Sequence, residues 1–456
     1  MMTRHIAIIG GGASGILMAA HLLRCHGEAD DLRVTLVDAG PNLARGLAYS
    51  TTNPSHLLNV RAGQLSAFAD EPDHFLHWLV ASGQRDATHA DFVPRLFFGN
   101  YLEHLLAALV SVDGPSRLRV ITQACSGLRS LDNGVEVMLA DGSAVPAHWV
   151  VLATGFGLRQ TAGSVLLDPW DGHVPENRDA RVLLVGSGLT MVDKVLSLVD
   201  AGHRGPITAI SRKGFLPRAH GAHHPLQLST ADIPLGSSVH YLCRWLTQLV
   251  AAHQAGGGDW RDVMDGLRPH IQTIWKHLPI ESRRRFLRHC TAYWDIHRHR
   301  MPQAQAQRMD AVLNSGQLTL LRGRFVAAQV QDGQTCVTFS NPASSNAASG
   351  LDNVFAADVA YDCRGIRRQA MDAVPPLMAS LIESGQAKLD TLGLGLAFDQ
   401  SCALVNAQGT ASPRIYGIGP VTLSALWETI AIPDIRRQAQ ALSQHLLTKP
   451  AGTPPR

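Results

Sequence analysis

Two tight glycine clusters carry the plainest chemistry in this chain. The first, Gly10-Gly11-Gly12-Ala13-Ser14-Gly15, directly follows the apolar run Ile6-Ala7-Ile8-Ile9. The second, Gly186-Ser187-Gly188-Leu189-Thr190, directly follows Val182-Leu183-Leu184-Val185. Glycines set this way between a buried strand and a helix let backbone amides close on a pyrophosphate, and the helix N-terminus adds positive potential. Gly10 suits the turn, Gly12 the close approach and Gly15 the packing of helix on strand. The next strand, 33–37, ends at Asp38, an acid placed to accept ribose hydroxyls. In the second cluster Met191 stands where a third glycine is usual, and the strand at 207–210 ends in Ser211-Arg212-Lys213. Arg212 and Lys213 suit a 2′-phosphate, so NADPH is expected there over NADH. One chain that binds two dinucleotides is built to pass electrons between them, here between FAD and NADPH.

Other residues allow more than one reading. His297-Arg298-His299-Arg300 is dense in donors. Arg298 and Arg300 could clamp a carboxylate or phosphate of a substrate or of NADP, or belong to an ion-pair network. His220, His223 and His224 have a metal-like spacing, but no matching acid or cysteine stands nearby, so no metal is expected. The seven cysteines are 25, 125, 243, 290, 336, 363 and 402. None form a C-x-x-C or C-x4-C pair, so a redox disulfide close in sequence is not expected. No nucleophile elbow, P-loop or zinc-finger spacing occurs.

These motifs need elements to hold them. At 456 residues two or three domains are expected. Apolar content of 45% with 17% charged residues fits a globular chain. A formal charge of +3 gives no reason to expect nucleic acid or a membrane surface as partner. The early strand leaves no room for a signal peptide, and no apolar run approaches membrane-spanning length, so a cytoplasmic protein is the expectation. The fold class expected is α/β, with two Rossmann-like dinucleotide-binding domains. The FAD domain is discontinuous over 1–175 and 366–456. The nicotinamide domain spans 176–365 and carries a helical insertion at 236–310, rich in Trp, Arg and His. Residues 118–155 read as β-rich, 160–180 as a linker, and Asn341 to Asp352 as a surface loop.

Beyond the two fingerprints, the chain resembles the bacterial FAD–NAD(P)-binding oxidoreductases allied to amino-acid N-hydroxylases and other class B flavin monooxygenases. The resemblance rests on Gly46-Leu47-Ala48-Tyr49-Ser50, His56-Leu57-Leu58-Asn59-Val60, the stretch from Gly186 to Asp193, Ser211-Arg212-Lys213-Gly214, Trp294 to Arg300 and Trp427-Glu428-Thr429. It implies that the stretch from His56 to Val60 passes the flavin ring, with Asn59 and His56 as candidate catalytic residues, and that Gly419 lies in the C-terminal flavin motif. It implies NADPH- and O2-dependent monooxygenation, N-hydroxylating a small amine or amino acid. An NAD(P)H-dependent reductase serving a small or protein acceptor, and a non-catalytic flavin-binding protein, stay open. So does a homo-oligomer. The chain departs from the family pattern at Arg61 and Gln64, at Cys363-Arg364-Gly365 and at Gly417-Ile418-Gly419-Pro420.

Overall fold

The protein is described by a computed structural model covering residues 4–25, 31–110, 117–156, 164–222, 224–340, 353–365 and 374–450. Its α/β chain divides into two compact units: Met1–Pro54 with Val60–Arg159 and Arg368–Arg456, and Ser55–Asn59 with Gln160–Arg367.

The first unit is built on a six-stranded sheet. Strand Arg4–Ile9 lies at its middle, flanked in parallel by Leu32–Val37 and Trp149–Leu152. Leu118–Ile121 extends one side and Ala411–Gly417 the other, both parallel; Ala403–Val405 closes the edge antiparallel. Alternation sorts the central strand's side chains. Ala7 and Ile9 join a core with Val150, Leu152, Val137, Leu381 and Phe398. That core is roofed by the antiparallel sheet of Cys125–Leu131, Gly134–Leu139 and Ala144–Ala147. Helix Ala13–Cys25 packs on the strands Arg4–Ile9 and Leu32–Val37 and on helices Arg95–Val110 and Ile432–Thr448. The C-terminal segment is thus structural to the first fingerprint.

The second unit has a four-stranded, all-parallel sheet. Its order is Leu318–Arg322, Ile207–Ser211, Val182–Val185, Val359–Asp362. Helix Leu189–Asp200 follows the second fingerprint, and helix Gln303–Asn314 leads into Leu318–Arg322. Met191, which stands where a glycine is usual, is fully buried in a core with Val195, Ile207, Met309 and Tyr361. It fills space between helix and sheet. Between the two halves of the sheet lies the helical insertion, from Val239–Ala255 to Thr291–Arg298, including a π turn at Phe286–Cys290. A second antiparallel sheet comprises Arg324–Gln331, Gln334–Ser340 and Asn353–Ala357.

The boundary expected at 175/176 falls elsewhere. The described part of the linker is bound to the second unit: Leu167 N donates to Ala360 O at 2.9 Å, Asp362 N to Leu167 O at 2.9 Å, and Lys194 Nζ to His173 O at 2.5 Å. Residues 55–59 also cluster there. Buried His56 meets Ser197 Oγ through Nε2 at 2.7 Å, and Gln305 Nε2 donates to Ser55 O at 2.9 Å. Both attachments are pairings between residues far apart in sequence, which the turn residues of these segments do not mark. The loop at 341–352 and the return at 366 lie outside the described residues, as does His223.

Candidate cofactor sites

In the first unit, Gly10 closes the strand. Its amide donates to Val37 O at 2.8 Å, its φ is +110°, and an added Cβ would run into the Ala153 carbonyl. At Gly15 a Cβ would collide with Gly10 O, so the helix can start here only against a glycine. Ser14 is buried at the helix start beside Gly419, where a Cβ would strike its hydroxyl; Gly419 N donates to Gln438 Oε1 at 2.7 Å. The two segments at which flavin contact is expected therefore converge. Ala13 and Ser14 lie in the first turn, whose amides have no intrahelical partner. Gly12 has a different surrounding. The nearest atom to its Cβ position is Gly46 Cα, at 3.4 Å, an ordinary contact.

Asp38 does more than wait for a ribose. Its Oδ2 accepts from Gly11 N at 2.5 Å and its Oδ1 from Gly40 N at 2.6 Å. The carboxylate thus shapes the loop, and each oxygen keeps a lone pair beyond the one used. Thr154 Oγ1, just past the strand and beside Gly10, is buried and has no hydrogen-bond partner among the described residues. An orphan hydroxyl at the mouth of a fingerprint is what a bound cofactor would satisfy.

The second unit repeats this architecture. Gly186 has φ +121°, donates to Ile210 O at 2.8 Å, and lies against the Cys363 carbonyl. That contact is made by backbone atoms, so it places no demand on the side chains of Cys363 and Arg364. Arg364 is itself spent on Asp362, with Nη2 to Oδ2 at 2.7 Å. Gly188 caps helix Leu189–Asp200 in extended backbone, and no atom stands within 4 Å of its Cβ position. Ser187 Oγ donates to Ser211 Oγ at 2.8 Å, and Ser211 Oγ accepts from Gly214 N at 3.0 Å. Ser211 therefore ties the fingerprint to the loop after its second strand. Arg212 on that loop is exposed and forms no ion pair among the described residues. Lys213 instead holds its ammonium 5.6 Å from the Tyr293 ring centre.

The remaining candidates separate. Asn59 O accepts from His220 Nε2 at 3.1 Å, while its side-chain amide has no hydrogen bond among the described residues. His56, edge-on to Trp170 at 5.9 Å and bonded to Ser197, holds its segment on helix Leu189–Asp200. His220 meets Asn59 O through its ring, whereas His224 is tied through its backbone, its N donating to Asp262 Oδ1 at 2.6 Å. Arg298 ends helix Thr291–Arg298, whereas Arg300 lies beyond it, 3% exposed and paired with Asp265 at 2.5 Å. Arg300 meets Asp265 through Nη2 alone; its Nε and Nη1 are buried with no hydrogen-bond partner among the described residues. Two groupings were hidden from sequence by distance along the chain. One is Lys194, whose ammonium lies 3.9 Å from the Tyr361 ring centre. The other brings Cys243 Sγ and Cys290 Sγ to 3.8 Å.

Residues 7–157 match the family model described as FAD-NAD(P)-binding. The match covers about a third of the chain. No curated protein sequence matches the chain. Among solved structures, it is similar to the ornithine N-hydroxylase of Kutzneria sp. 744, with reduced FAD, NADP+ and L-ornithine, at 14% identity and TM-score 0.61, covering 98% of this chain and 99% of that one. The L-lysine 6-monooxygenase of Pseudomonas syringae matches at 16% identity and TM-score 0.62, over 97% and 98%. The thioredoxin reductase of Lactococcus lactis matches at 10% identity and TM-score 0.52, over 98% of each chain. These likenesses are of fold, over nearly the full length of each chain. Among the described residues, no helix is long and apolar enough to cross a membrane.

Proposed function

We propose that the protein is an FAD-dependent, NADPH-consuming monooxygenase that N-hydroxylates a small amine or amino acid. The observation that carries the reading is a dinucleotide turn at the strand–helix junction of each unit, within a fold that matches N-hydroxylases over nearly their whole length. The likeness to a thioredoxin reductase supports the reductase alternative, at a lower TM-score.

FAD supplies the redox chemistry when bound. Gly10, Gly12, Ala13, Ser14 and Gly15 would hold its pyrophosphate, Asp38 its ribose, and Thr154 and Gly419 the nearby polar edge. Gly186, Gly188, Leu189 and Thr190 would hold the nicotinamide dinucleotide's pyrophosphate. Ser211, Arg212 and Lys213 face its adenosine end, with Arg212 the free cation for a 2′-phosphate. Asn59 is the group whose open amide can orient a cofactor or substrate. His56 keeps Asn59's segment in place. Arg298 and Arg300 are the candidates for an anionic substrate group.

The test is a stoichiometry. Purified protein loaded with FAD is reduced by NADPH and given O2 with a panel of amines and amino acids. For one of them, hydroxylated product should rise and hydrogen peroxide fall in proportion per NADPH consumed. Peroxide equal to NADPH for every amine, together with rapid electron delivery to a disulfide or quinone, would overturn the reading in favour of a reductase.

A further inference from the structure

The helical insertion contains a cysteine pair with no part in cofactor binding. Cys243 lies on helix Val239–Ala255 and Cys290 ends the π turn Phe286–Cys290, and their sulfurs stand 3.8 Å apart. Cys243 is exposed and Cys290 partly so, so a small reagent can reach them. The π turn matters to the geometry. It inserts a residue into the helical run, and Thr291 Oγ1 donates back to Phe286 O and Leu287 O, at 3.2 and 3.1 Å, to hold the widened turn. Cys290 is set by that turn toward the helix carrying Cys243.

We propose that Cys243 and Cys290 are a modification site, forming a reversible disulfide by exchange with a low-molecular-weight disulfide. The Cys243 thiolate attacks one sulfur of the external disulfide and expels one thiolate, which takes up a proton. Cys290, as its thiolate, then attacks the Cys243 sulfur of the mixed disulfide and expels the second thiolate, which is protonated in turn. The protein loses two hydrogens and the external disulfide becomes two thiols. A rotation of the side chains closes the remaining gap, since the sulfurs already lie within contact distance. Burial and the neighbouring Cys290 push the Cys243 thiol up to about 11, so exchange is slow at neutral pH and speeds up as the solution is made alkaline. The pair would respond to a sustained shift of the thiol pool and be slow toward a brief one. Once formed, the bond ties the first long helix of the insertion to its last third, across the Gly256-Gly257-Gly258 connection.

The experiment incubates the full-length protein with oxidised glutathione at mildly alkaline pH, blocks remaining thiols with N-ethylmaleimide and maps peptides by mass. A Cys243–Cys290 linked peptide, two hydrogens lighter than the sum of its reduced parts and split by dithiothreitol, is expected. In Cys290→Ser the mixed disulfide should instead accumulate on Cys243, with circular dichroism unchanged to show an intact fold. Full alkylation of both thiols under conditions that modify Cys25 would overturn the proposal. So would a glutathione adduct on Cys243 that persists although Cys290 is present.

Discussion

Two neighbouring glycines of the second fingerprint should respond to the same substitution in different ways. At Gly188 the backbone has φ −84°, and no protein atom comes within 4 Å of an added Cβ. Gly188→Ala should therefore fold normally and stay within about 1 kcal/mol of the parent, the lower entropy of its unfolded chain being offset by alanine's poorer fit at a helix N-cap. At Gly186 the φ is +121°, and a Cβ would be forced into the Cys363 carbonyl and to 2.9 Å from Arg364 N. Both obstacles are backbone and cannot rotate away. Strain of about 1–3 kcal/mol and overpacking of a similar size make Gly186→Ala destabilising by roughly 2–6 kcal/mol. The void at Gly188 is where the pyrophosphate of a dinucleotide should pass. A methyl there would displace one phosphate from a backbone amide, a loss of about 1.5–3 kcal/mol, or on the order of 10- to 150-fold in affinity. Urea unfolding measures the first quantity and NADPH titration of flavin reduction the second. If Gly188→Ala binds NADPH as well as the parent, the pyrophosphate does not cross that loop and the placement of the cofactor is wrong.

Two further outcomes follow from the charges. Arg212→Ala should reduce the preference for NADPH over NADH about tenfold or more, the value of one charge-assisted phosphate contact, while leaving NADH-driven reduction unchanged; equal losses with both cofactors would remove Arg212 from the 2′-phosphate site. Burial lowers His5, His21, His74 and His203 from the ordinary imidazole value of 6.5, so in the folded state they resist protonation. The unfolded chain then binds more protons, and stability should be full above about pH 7 and decline as pH falls through 6.5 toward the lowered folded values; unfolding midpoints across pH 5–8 should show this slope, and His21→Gln should flatten it.

The fingerprints were legible because their chemistry is local. A strand, a turn and a helix start occupy adjacent residues, and glycine is required there by backbone approach, as the Gly10–Ala153 and Gly186–Cys363 contacts show. The insertion was legible from its helical pattern, and the strands at 207–211 and 318–322 from short β-branched and apolar runs. The linker's attachment was not, because it rests on a single bridge from Leu167 to Tyr361 and on Lys194 reaching His173 O, pairings that sequence order does not reveal. The pairing of Arg300 was hidden for a similar reason. Its partner Asp265 lies a whole helix run earlier, so sequence left open whether the arginine joins an ion pair. Cys243 and Cys290 were invisible to a search for close spacings, since a π turn and helix packing bring them together.

The order of strands in the first sheet also bears on how the chain is made. Strand Trp149–Leu152, wholly buried, has Ala411–Gly417 as its neighbour on one side, and helix Ala13–Cys25 leans on Ile432–Thr448. Both partners are made more than 250 residues after the elements they cover. Until then a nascent chain must carry an uncovered apolar strand edge and a helix face without its cover, the kind of surface that invites pairing with other chains. The second unit's sheet closes earlier, since Val359–Asp362 completes it before the C-terminal segment exists. On the ribosome the second unit, begun later, should therefore be finished before the first, and the first unit should depend on chaperone protection until residues 411–448 are made.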